Sequence, residues 1–294
     1  MTDKLEFLIA LAREQHFGRA AVACGVTQPT LSAAIKQLEG GFGVLLVNRG
    51  SRYRGLTPEG ERVLEWARRI VGDTRAMGDD IRAMRLGLVG QLRIAAIPTA
   101  LAMLPSLTTP FRERHPGVRF IVLSRNSAEI LALLENLEID AGLTYLDNEP
   151  LGRVRKMPLY REHYRLLTSP AGALGDRERV TWAEVARIPL CLLTPDMQNR
   201  RILNRLLATE GPAPTPTLES NSMIALVAHV RTGKWATIMP DRIADTLGLT
   251  DVIRAIPIVG PEVSHSVGLV IPGREPMSPL CAALVEEARR IALR

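Results

Sequence analysis

Cysteine, histidine and aromatic residues are scarce in this chain. The three cysteines, Cys24, Cys191 and Cys281, are odd in number and widely separated, which excludes a disulfide framework and a cysteine-based metal site. No two of the five histidines have the spacing of a helical ligand pair. A Gly-x-Ser-x-Gly elbow and a glycine-rich lysine loop are also missing. The sequence therefore predicts neither an enzyme nor a cofactor.

Long apolar runs are equally absent. No segment reaches the roughly 18 consecutive apolar residues of a membrane span, and the N-terminus lacks the features of a signal peptide. We therefore expect a cytoplasmic protein with reduced thiols. With 294 residues, 46% of them hydrophobic and 23% charged, the chain can form two or three globular units. Its net charge of +6 favours an anionic partner.

The residues from Ala20 to Glu39 have the pattern of two short helices joined by a glycine turn. Gly25 stands where the chain must reverse, Thr27 can cap the second helix, and Pro29 falls in its first turn, where a missing N–H costs nothing. This pattern predicts a helix-turn-helix whose second helix begins near Gln28 and reads DNA. An ordinary helical hairpin has the same pattern, so DNA binding needs further support.

The second helix has an apolar and a polar face. Leu31, Ile35 and Leu38 recur at helical spacing and would pack on the preceding helices. On the polar face, Gln28, Thr30 and Ser32 are predicted to reach base edges and Lys36 a phosphate.

Residues 47–57 form a turn-rich segment with three arginines and no acidic residue. A basic wing beside a reading helix holds the phosphate backbone of DNA, and the predicted phosphate contacts are Arg49, Arg52 and Arg54. A solvated loop that is arginine-rich by chance is the alternative, which the position of the segment makes weaker.

Thr57 and Pro58 then open a long helix, as its N-cap and its first helical residue. Apolar positions along this helix alternate at spacings of four and three, at Val63, Ala67, Ile70, Thr74, Met77, Ile81, Met84 and Leu88. A second copy of the chain is the simplest partner for this stripe. Packing back on the N-terminal domain is the alternative, but that short domain can cover only the first turns.

The order of these features resembles the LysR-type transcriptional regulators over essentially the whole chain. The most specific matching segments are Phe17 to Ala21, Gln28 to Glu39, Gly43 to Leu46 and Leu56 to Gly60. The resemblance implies a winged helix-turn-helix at 1–57, a dimerising linker helix at 58–88 and a two-lobed, periplasmic-binding-protein-like effector domain at 91–294. It also implies three kinds of partner: double-stranded operator DNA, a second copy of the chain in a dimer or tetramer, and RNA polymerase.

One departure from the family bears on DNA reading. Ala33 and Ala34 stand where the family often has long polar residues. Alanine can contact only a thymine methyl group, so base readout is expected to depend on Gln28, Thr30, Ser32 and the wing.

After Leu88, apolar strands alternate with helices, which predicts an α/β fold with a parallel sheet. Strands are expected at 92–97, 119–123, 139–143, 164–168, 190–193, 235–239 and 266–271. Helices are expected at 100–114, 127–137, 182–186, 200–210, 223–231 and 277–292. The resemblance assigns residues 91–161 and 266–294 to lobe one and residues 162–265 to lobe two.

Such folds bind ligands beyond the carboxyl ends of their strands, where helix starts offer free N–H groups. Four polar residues stand at such places and are candidate effector-binding residues: Thr99, Ser127, Thr194 and Asn221. The fifth candidate is Tyr145, which the family resemblance puts on the cleft wall. Free N–H groups favour an anionic group, so a small organic carboxylate is the expected effector, with Arg125 or backbone dipoles balancing its charge. Each hydroxyl has the simpler alternative of capping a helix.

These features together predict a sequence-specific transcriptional regulator controlled by a small-molecule effector bound between two lobes. The alternative is a cytosolic small-molecule-binding protein or enzyme that uses the helix-turn-helix only for assembly, and salt-dependent DNA binding distinguishes the two. An architectural DNA-binding protein without an effector is disfavoured by the large lobed domain.

Overall fold

The computed structural model describes residues 1–48, 53–208, 212–246 and 252–292. The chain divides into two compact units. The first comprises Met1–Val89, Leu133–Glu138 and Arg274–Ala282, and the second comprises Gly90–Ala132, Ile139–Gly273 and Ala283–Arg294. Within the described ranges, no helix is both long enough and apolar enough to span a membrane.

The N-terminal part of the first unit is built from three helices, α1 (Thr2–Glu14), α2 (Phe17–Ala23) and α3 (Gln28–Phe42). Helix α3 begins at Gln28, as the sequence predicts, and the Thr27 hydroxyl accepts a hydrogen bond from the Thr30 N–H at 3.3 Å. Gly25 has a φ of +68°, the left-handed backbone that the turn requires. The predicted inner face of α3 is buried against α1 and α2, with Leu5, Leu8, Ala20, Leu31, Ile35 and Leu38 in one core.

A buried glutamate joins α3 to the hairpin that follows it. Glu39 Oε1 accepts hydrogen bonds from the backbone N–H groups of Leu46 at 3.0 Å and Val47 at 3.4 Å. Val47 then pairs with Leu56 across the base of the hairpin. The long helix α4 (Pro58–Leu86) starts directly afterwards, capped by Thr57.

Gly60, in the first turn of α4, lies against the backbone of this hairpin. A Cβ atom at this position would come within 2.0 Å of the Leu46 carbonyl oxygen. Only a residue without a side chain therefore allows α4 to pack so closely on the hairpin.

We expect Gly60→Ala to destabilise the first unit by about 1–3 kcal/mol, because the clash is with backbone that cannot rotate away. Gly78→Ala, in the same helix, is the matched control, since a Cβ there meets nothing within 4 Å. This control should gain about 0.5–1 kcal/mol from helix propensity. Urea unfolding followed by circular dichroism measures both, and equal effects would contradict the proposed role of the close contact.

The stripe of apolar side chains on α4 is buried only near the start of the helix. Of this stripe, Ala67 lies in the core of the first unit and Val63 packs against that core. Further along, Met77, Ile81 and Met84 are 62%, 56% and 83% exposed. The N-terminal helices thus cover the first turns alone, as the sequence predicts, and the rest of the stripe is available for a second copy of the chain.

Replacing Ile81 with glutamate should separate the subunits that meet along α4, because the carboxylate would be desolvated in the seam. Ala83→Glu adds the same charge off the heptad stripe and should leave assembly unchanged. Sedimentation velocity measures the oligomeric state of both variants. If the unmodified protein sediments as a monomer, the predicted assembly along α4 is wrong.

The described residues of the second unit form eleven strands and most of the remaining helices. Its strands are β1 (Gly90–Ala96), β2 (Val118–Ser124), β3 (Ala141–Tyr145), β4 (Val154–Glu162), β5 (Tyr164–Thr168), β6 (Val180–Thr181), β7 (Cys191–Leu193), β8 (Leu218–Ser220), β9 (Thr237–Pro240), β10 (Arg254–Val259) and β11 (His265–Pro272). The helices that follow α4 are α5 (Leu104–Arg114), α6 (Ser127–Glu135), α7 (Trp182–Val185), α8 (Gln198–Leu207), α9 (Met223–Val230), α10 (Asp241–Thr246) and α11 (Pro279–Ala292).

Two main sheets organise this unit. The first sheet has the order β2-β1-β3-β11-β4 and belongs to lobe one, and the second has the order β6-β10-β5-β9 and belongs to lobe two. A separate pair, β7 and β8, runs parallel in lobe two. The chain passes from the first sheet to the second between β4 and β5, and it returns just before β11.

The sheet is not purely parallel, which corrects the sequence-based expectation. Strands β1, β2 and β3 are parallel, but β11 is antiparallel to both of its neighbours, β3 and β4. The antiparallel direction of β11 follows from the path of the chain. Strands β4 and β11 carry the chain between the lobes, so they need no helical crossover within the sheet. Alternation of apolar residues indicated the local strands but could not give their partners.

Several element predictions also need correction. Strands β4, β6, β8 and β10 and helix α10 were not predicted, and β4 includes several charged side chains that obscure a strand pattern. The helix expected at 100–114 begins as a 3₁₀ helix at Pro98–Met103 and becomes α-helical only from Leu104. Helix α8 begins at Gln198, two residues before the expected start, which brings two more polar side chains to its N-terminus.

Candidate functional site

The polar face of α3 presents the predicted DNA-contacting residues to solvent. Gln28, Thr30 and Lys36 are exposed, whereas Ser32 is half-buried. The Thr30 hydroxyl lies 2.9 Å from that of Thr27, so it takes part in the helix cap. Gln28 and Lys36 are therefore the freer side chains for contacts with bases and phosphates.

The wing is only partly described. Arg54 is exposed at its base, and the neighbouring Tyr53 ring packs edge-on against Phe17 of α2 with 6.4 Å between ring centroids. This packing ties the second strand of the wing to the helices. Arg49 and Arg52 lie outside the described residues.

One predicted effector residue, Ser127, meets lobe two in a hydrogen-bonded cluster between the lobes. Ser127, at the start of α6, donates from Oγ to Gln198 Oε1 at 2.7 Å and accepts from Thr144 Oγ1 at 3.0 Å. Gln198, at the start of α8, also donates to the Asp147 carbonyl oxygen at 3.2 Å. Ser127 and Gln198 are 3% and 2% exposed, so the N-termini of the two helices meet out of contact with water.

Tyr145 continues this cluster at the end of β3. Its hydroxyl donates to Glu162 Oε1 and accepts from Asn199 Nδ2 at 2.9 Å, with Thr99 Oγ1 at 3.4 Å. Tyr145 and Glu162 are fully buried, and Thr99 is 2% exposed. Thr99, Tyr145 and Glu162 from around the first sheet thus share one network with Asn199 from lobe two.

The other two predicted effector residues lie outside this cluster. The Thr194 hydroxyl is buried without a hydrogen bond of regular geometry among the described residues, and its proximity lowers the pKa of Asp196. Asn221 is exposed before α9, and the cap of that helix comes from Ser222, whose Oγ accepts from the Ala225 N–H at 3.4 Å. The structure therefore brings Thr99, Ser127 and Tyr145 together, but not Thr194 and Asn221.

Charged side chains connect the lobes at the rim of the cleft. Arg201, in α8, makes two parallel hydrogen bonds to the carboxylate of Glu149, both at 2.8 Å. Asn126 Nδ2 donates to Asp196 Oδ2 at 3.3 Å. Arg125, which was expected to balance an effector charge, is exposed and donates to the Ser124 carbonyl oxygen at 2.7 Å.

The electrostatics of the cluster are dominated by burial. Desolvation raises the pKa of Glu162 to about 8, although the hydroxyls of Tyr145 and Tyr164 stabilise its charged form. Desolvation, together with the nearby Glu162 carboxylate, raises the pKa of Tyr145 well above its usual range. The pKa of His265 is lowered, because burial outweighs the attraction of Asp147.

Sequence reasoning missed Gln198, Asn199 and Glu162. Gln198 and Asn199 could have been recognised from the sequence, because they directly follow Pro195-Asp196-Met197 at the start of a helix. Side chains in the first turn of a helix lie close to any group that approaches its N-terminus. No local signal marked Glu162, whose partners Tyr145 of β3 and His265 of β11 are distant in sequence. Among the described residues, no group of three or more His, Cys, Asp or Glu side chains is placed to hold a metal ion.

Comparison with known families agrees with both parts of this geometry. Residues 2–61 match the model described as "Bacterial regulatory helix-turn-helix protein, lysR family", and residues 85–292 match the "LysR substrate binding domain". The chain therefore belongs to the LysR family of DNA-binding transcriptional regulators, with a C-terminal effector-binding domain. The prediction from its sequence motifs is confirmed.

Similar individual proteins include peroxide regulators. A "Probable hydrogen peroxide-inducible genes activator" of Mycobacterium xenopi is 37% identical over 177 residues, covering 60% of this chain and 93% of that protein. The "DNA-binding transcriptional dual regulator OxyR" of Escherichia coli K12 is 27% identical over 291 residues, covering 99% and 94%.

Solved structures support the fold over the whole chain. A full-length OxyR variant from Pseudomonas aeruginosa has a TM-score of 0.77 and 24% sequence identity, covering 98% of this chain and 94% of that one. The winged helix-turn-helix, linker helix and lobed α/β domain expected from the sequence are therefore the observed fold class.

Proposed function

We propose that this regulator binds a specific operator through α3 and the wing, and that a small molecule bound between the lobes controls it. The observation that carries the proposal is a pair of buried hydrogen bonds between the lobes, one from Ser127 to Gln198 and one from Asn199 to Tyr145. A ligand that replaces these hydrogen bonds would change the relative stability of two lobe arrangements. Such a difference is what effector control requires.

The division of labour follows the family organisation. We assign DNA binding to residues 1–57, dimerisation to 58–88 and effector binding to 91–294. Exposed Gln28 and Lys36 on α3 support base and phosphate contacts, and exposed Arg54 supports a phosphate contact from the wing, which we extend to Arg49 and Arg52. We keep Thr30 and Ser32 as further base contacts. The regulator would act in the cytoplasm on bacterial DNA and would alter recruitment of RNA polymerase.

A small organic carboxylate remains our proposed effector. The N-termini of α6 and α8 approach each other at Ser127 and Gln198, and the positive dipole ends of both helices and the uncapped N-terminus of α8 favour an anion. Thr99 and Tyr145 would supply further hydrogen bonds to it. Thr194 and Asn221 would contribute only after the lobes rearrange, because they lie outside the buried cluster.

Reaction of a thiol with peroxide is the second candidate mode of control, since the names of the relatives specify hydrogen peroxide. The cysteines of this chain do not favour it. Burial raises the pKa of the Cys191 thiol to about 11, and it also raises the pKa of Cys24. Cys281 is buried as well. A thiol reacts with peroxide as its thiolate, so we favour a non-covalent effector.

Arg54→Ala should weaken binding to all DNA sequences alike and lower the magnitude of the log–log salt slope by about one, because one phosphate contact is lost. Gln28→Ala should instead reduce the preference for the operator over unrelated DNA by about 1–3 kcal/mol. Fluorescence anisotropy with operator and scrambled duplexes at several salt concentrations measures both effects.

Arg82→Ala is the matched control for Arg54→Ala, because Arg82 is an exposed arginine of α4 that pairs with Asp79. It should leave the salt slope unchanged. Unaltered slopes and sequence preference in the Arg54 and Gln28 variants would contradict the assigned DNA face.

Thr99→Val should lower effector affinity and transcriptional response while leaving DNA binding near normal, since it removes a hydroxyl and keeps the shape. The effector is first sought by thermal shift with small organic acids and, in a separate arm, hydrogen peroxide. The acid that stabilises the protein is then titrated calorimetrically against both variants.

Thr108→Val is the control for this experiment, because Thr108 lies on α5 and its hydroxyl only donates to the Leu104 carbonyl oxygen of its own helix. If Thr99→Val binds and responds like the unmodified protein, Thr99 is merely structural. If peroxide alone produces the response, the non-covalent effector is wrong.

A further inference from the structure

The buried carboxyl group of Glu162 lies where the chain crosses between the lobes. Glu162 ends β4, and Tyr164 begins β5 two residues later. The returning strand, β11, begins at His265, which is directly opposite Glu162 in the antiparallel ladder. Glu162 and His265 therefore occupy the two crossings side by side, with Glu162 fully buried.

Uncharged and acidic groups dominate the surroundings of the Glu162 carboxyl group in the described part of the chain. The groups that most strongly affect its charge are the hydroxyls of Tyr145, Tyr164 and Thr99 and the carboxylate of Asp241, with no lysine or arginine among them. Arg242, from α10, stacks over the Tyr160 ring at 4.6 Å. A buried carboxylate without a cation is costly, so the neutral acid is the favoured form in the closed fold.

Hydrogen bonding around the carboxyl group is incomplete. Oε1 accepts from Tyr145, but Oε2 has no hydrogen bond of regular geometry, and neither has the Tyr164 hydroxyl. His265 does not supply a positive charge to the Glu162 carboxyl group. Its Nδ1 accepts a hydrogen bond from Asn148 Nδ2 at 2.8 Å, and burial lowers the pKa of its imidazole. The other ring nitrogen, Nε2, has no hydrogen-bond partner among the described residues. Ionisation of Glu162 would therefore draw water towards the two crossings.

The same carboxyl group is coupled to contacts between the lobes. Tyr145, which donates to Glu162, accepts a hydrogen bond from Asn199 at the start of α8. Beside Asn199, Gln198 bonds to Ser127 of lobe one. A change in charge at Glu162 thus acts on the hydroxyl that holds the two lobes together.

We propose that closure of the cleft is linked to a proton on Glu162, which is bound when the lobes are closed and released to water when they separate. This inference rests on the proposed function, because it takes lobe separation to be the regulatory motion. For one proton, the ratio of closed to open protein falls by up to about 10-fold for each pH unit between the pKa of the open form and the higher pKa of the closed form. The pKa of the closed form is about 8, so the fall is complete once the pH becomes mildly alkaline.

The direct test is a pH titration of the full-length, effector-free protein. Infrared spectroscopy with ¹³C-labelled glutamate should show a protonated carboxyl band that disappears near pH 8 and is absent in Glu162→Gln. Small-angle X-ray scattering should show the lobes separating over the same range in the unmodified protein and remaining together in the variant. A Glu162 carboxyl group that titrates in the ordinary range of glutamate, near pH 4 to 5, would overturn the proposal.

Thermal unfolding provides a second readout. Because the pKa of Glu162 is about 8 in the folded protein and 4.5 when unfolded, its contribution to stability should be lost as the pH rises through this interval. Glu162→Gln should flatten this part of the profile. Glu178→Gln, at an exposed glutamate of lobe two, should follow the unmodified protein.

The outcomes separate the two hypotheses. If the carboxyl band titrates near pH 8 but the scattering does not change, proton linkage to closure is wrong. If Glu162→Gln keeps the pH dependence of the unmodified protein, the proposal is likewise wrong. A failed effector screen with an intact proton transition contradicts only the proposed effector control, because every measurement here is made without effector.

Discussion

The lobed unit depends on the burial of the Tyr145 hydroxyl group, which must find its hydrogen-bond partners inside the protein. A buried hydroxyl that lacks partners destabilises the fold, so the surrounding elements must supply donors and acceptors. Glu162 supplies the acceptor, and Asn199 supplies a donor from the opposite lobe. Each partner comes from a different part of the chain. Satisfying one polar group therefore requires β3, β4 and the start of α8 to be in place.

This arrangement makes the cleft both specific and sensitive. Buried polar networks stabilise one arrangement strongly when they are complete, and they become costly when a member changes charge or loses its partner. In the cleft, Ser127 and Gln198 are paired with each other, whereas Oε2 of Glu162 has no partner of regular geometry. A ligand or a proton can thus act on the same network. Control of lobe position would then be a competition for hydrogen bonds.

Most of the N-terminal unit follows from local sequence. The start of α3 at Gln28, its cap at Thr27 and the turn at Gly25 depend on residues within one short segment. The motif ending at Gly60 was recognised as a family feature, but its physical reason became clear only from the close approach of the Leu46 carbonyl group. Periodicity along α4 likewise predicted an uncovered apolar stripe, and Ile81 and its neighbours are exposed there.

The sequence by itself determined the class of protein, the helix-turn-helix, the linker helix and three of the residues that meet in the cleft, Thr99, Ser127 and Tyr145. Helix caps, turns and apolar periodicity are local properties, so they can be read from neighbouring residues. Only the tertiary structure decided that β11 runs antiparallel to its neighbours and that Glu162 is buried beside Tyr145. Strand pairing and desolvation depend on residues far apart in the chain, and their energies are defined only when those residues meet in three dimensions.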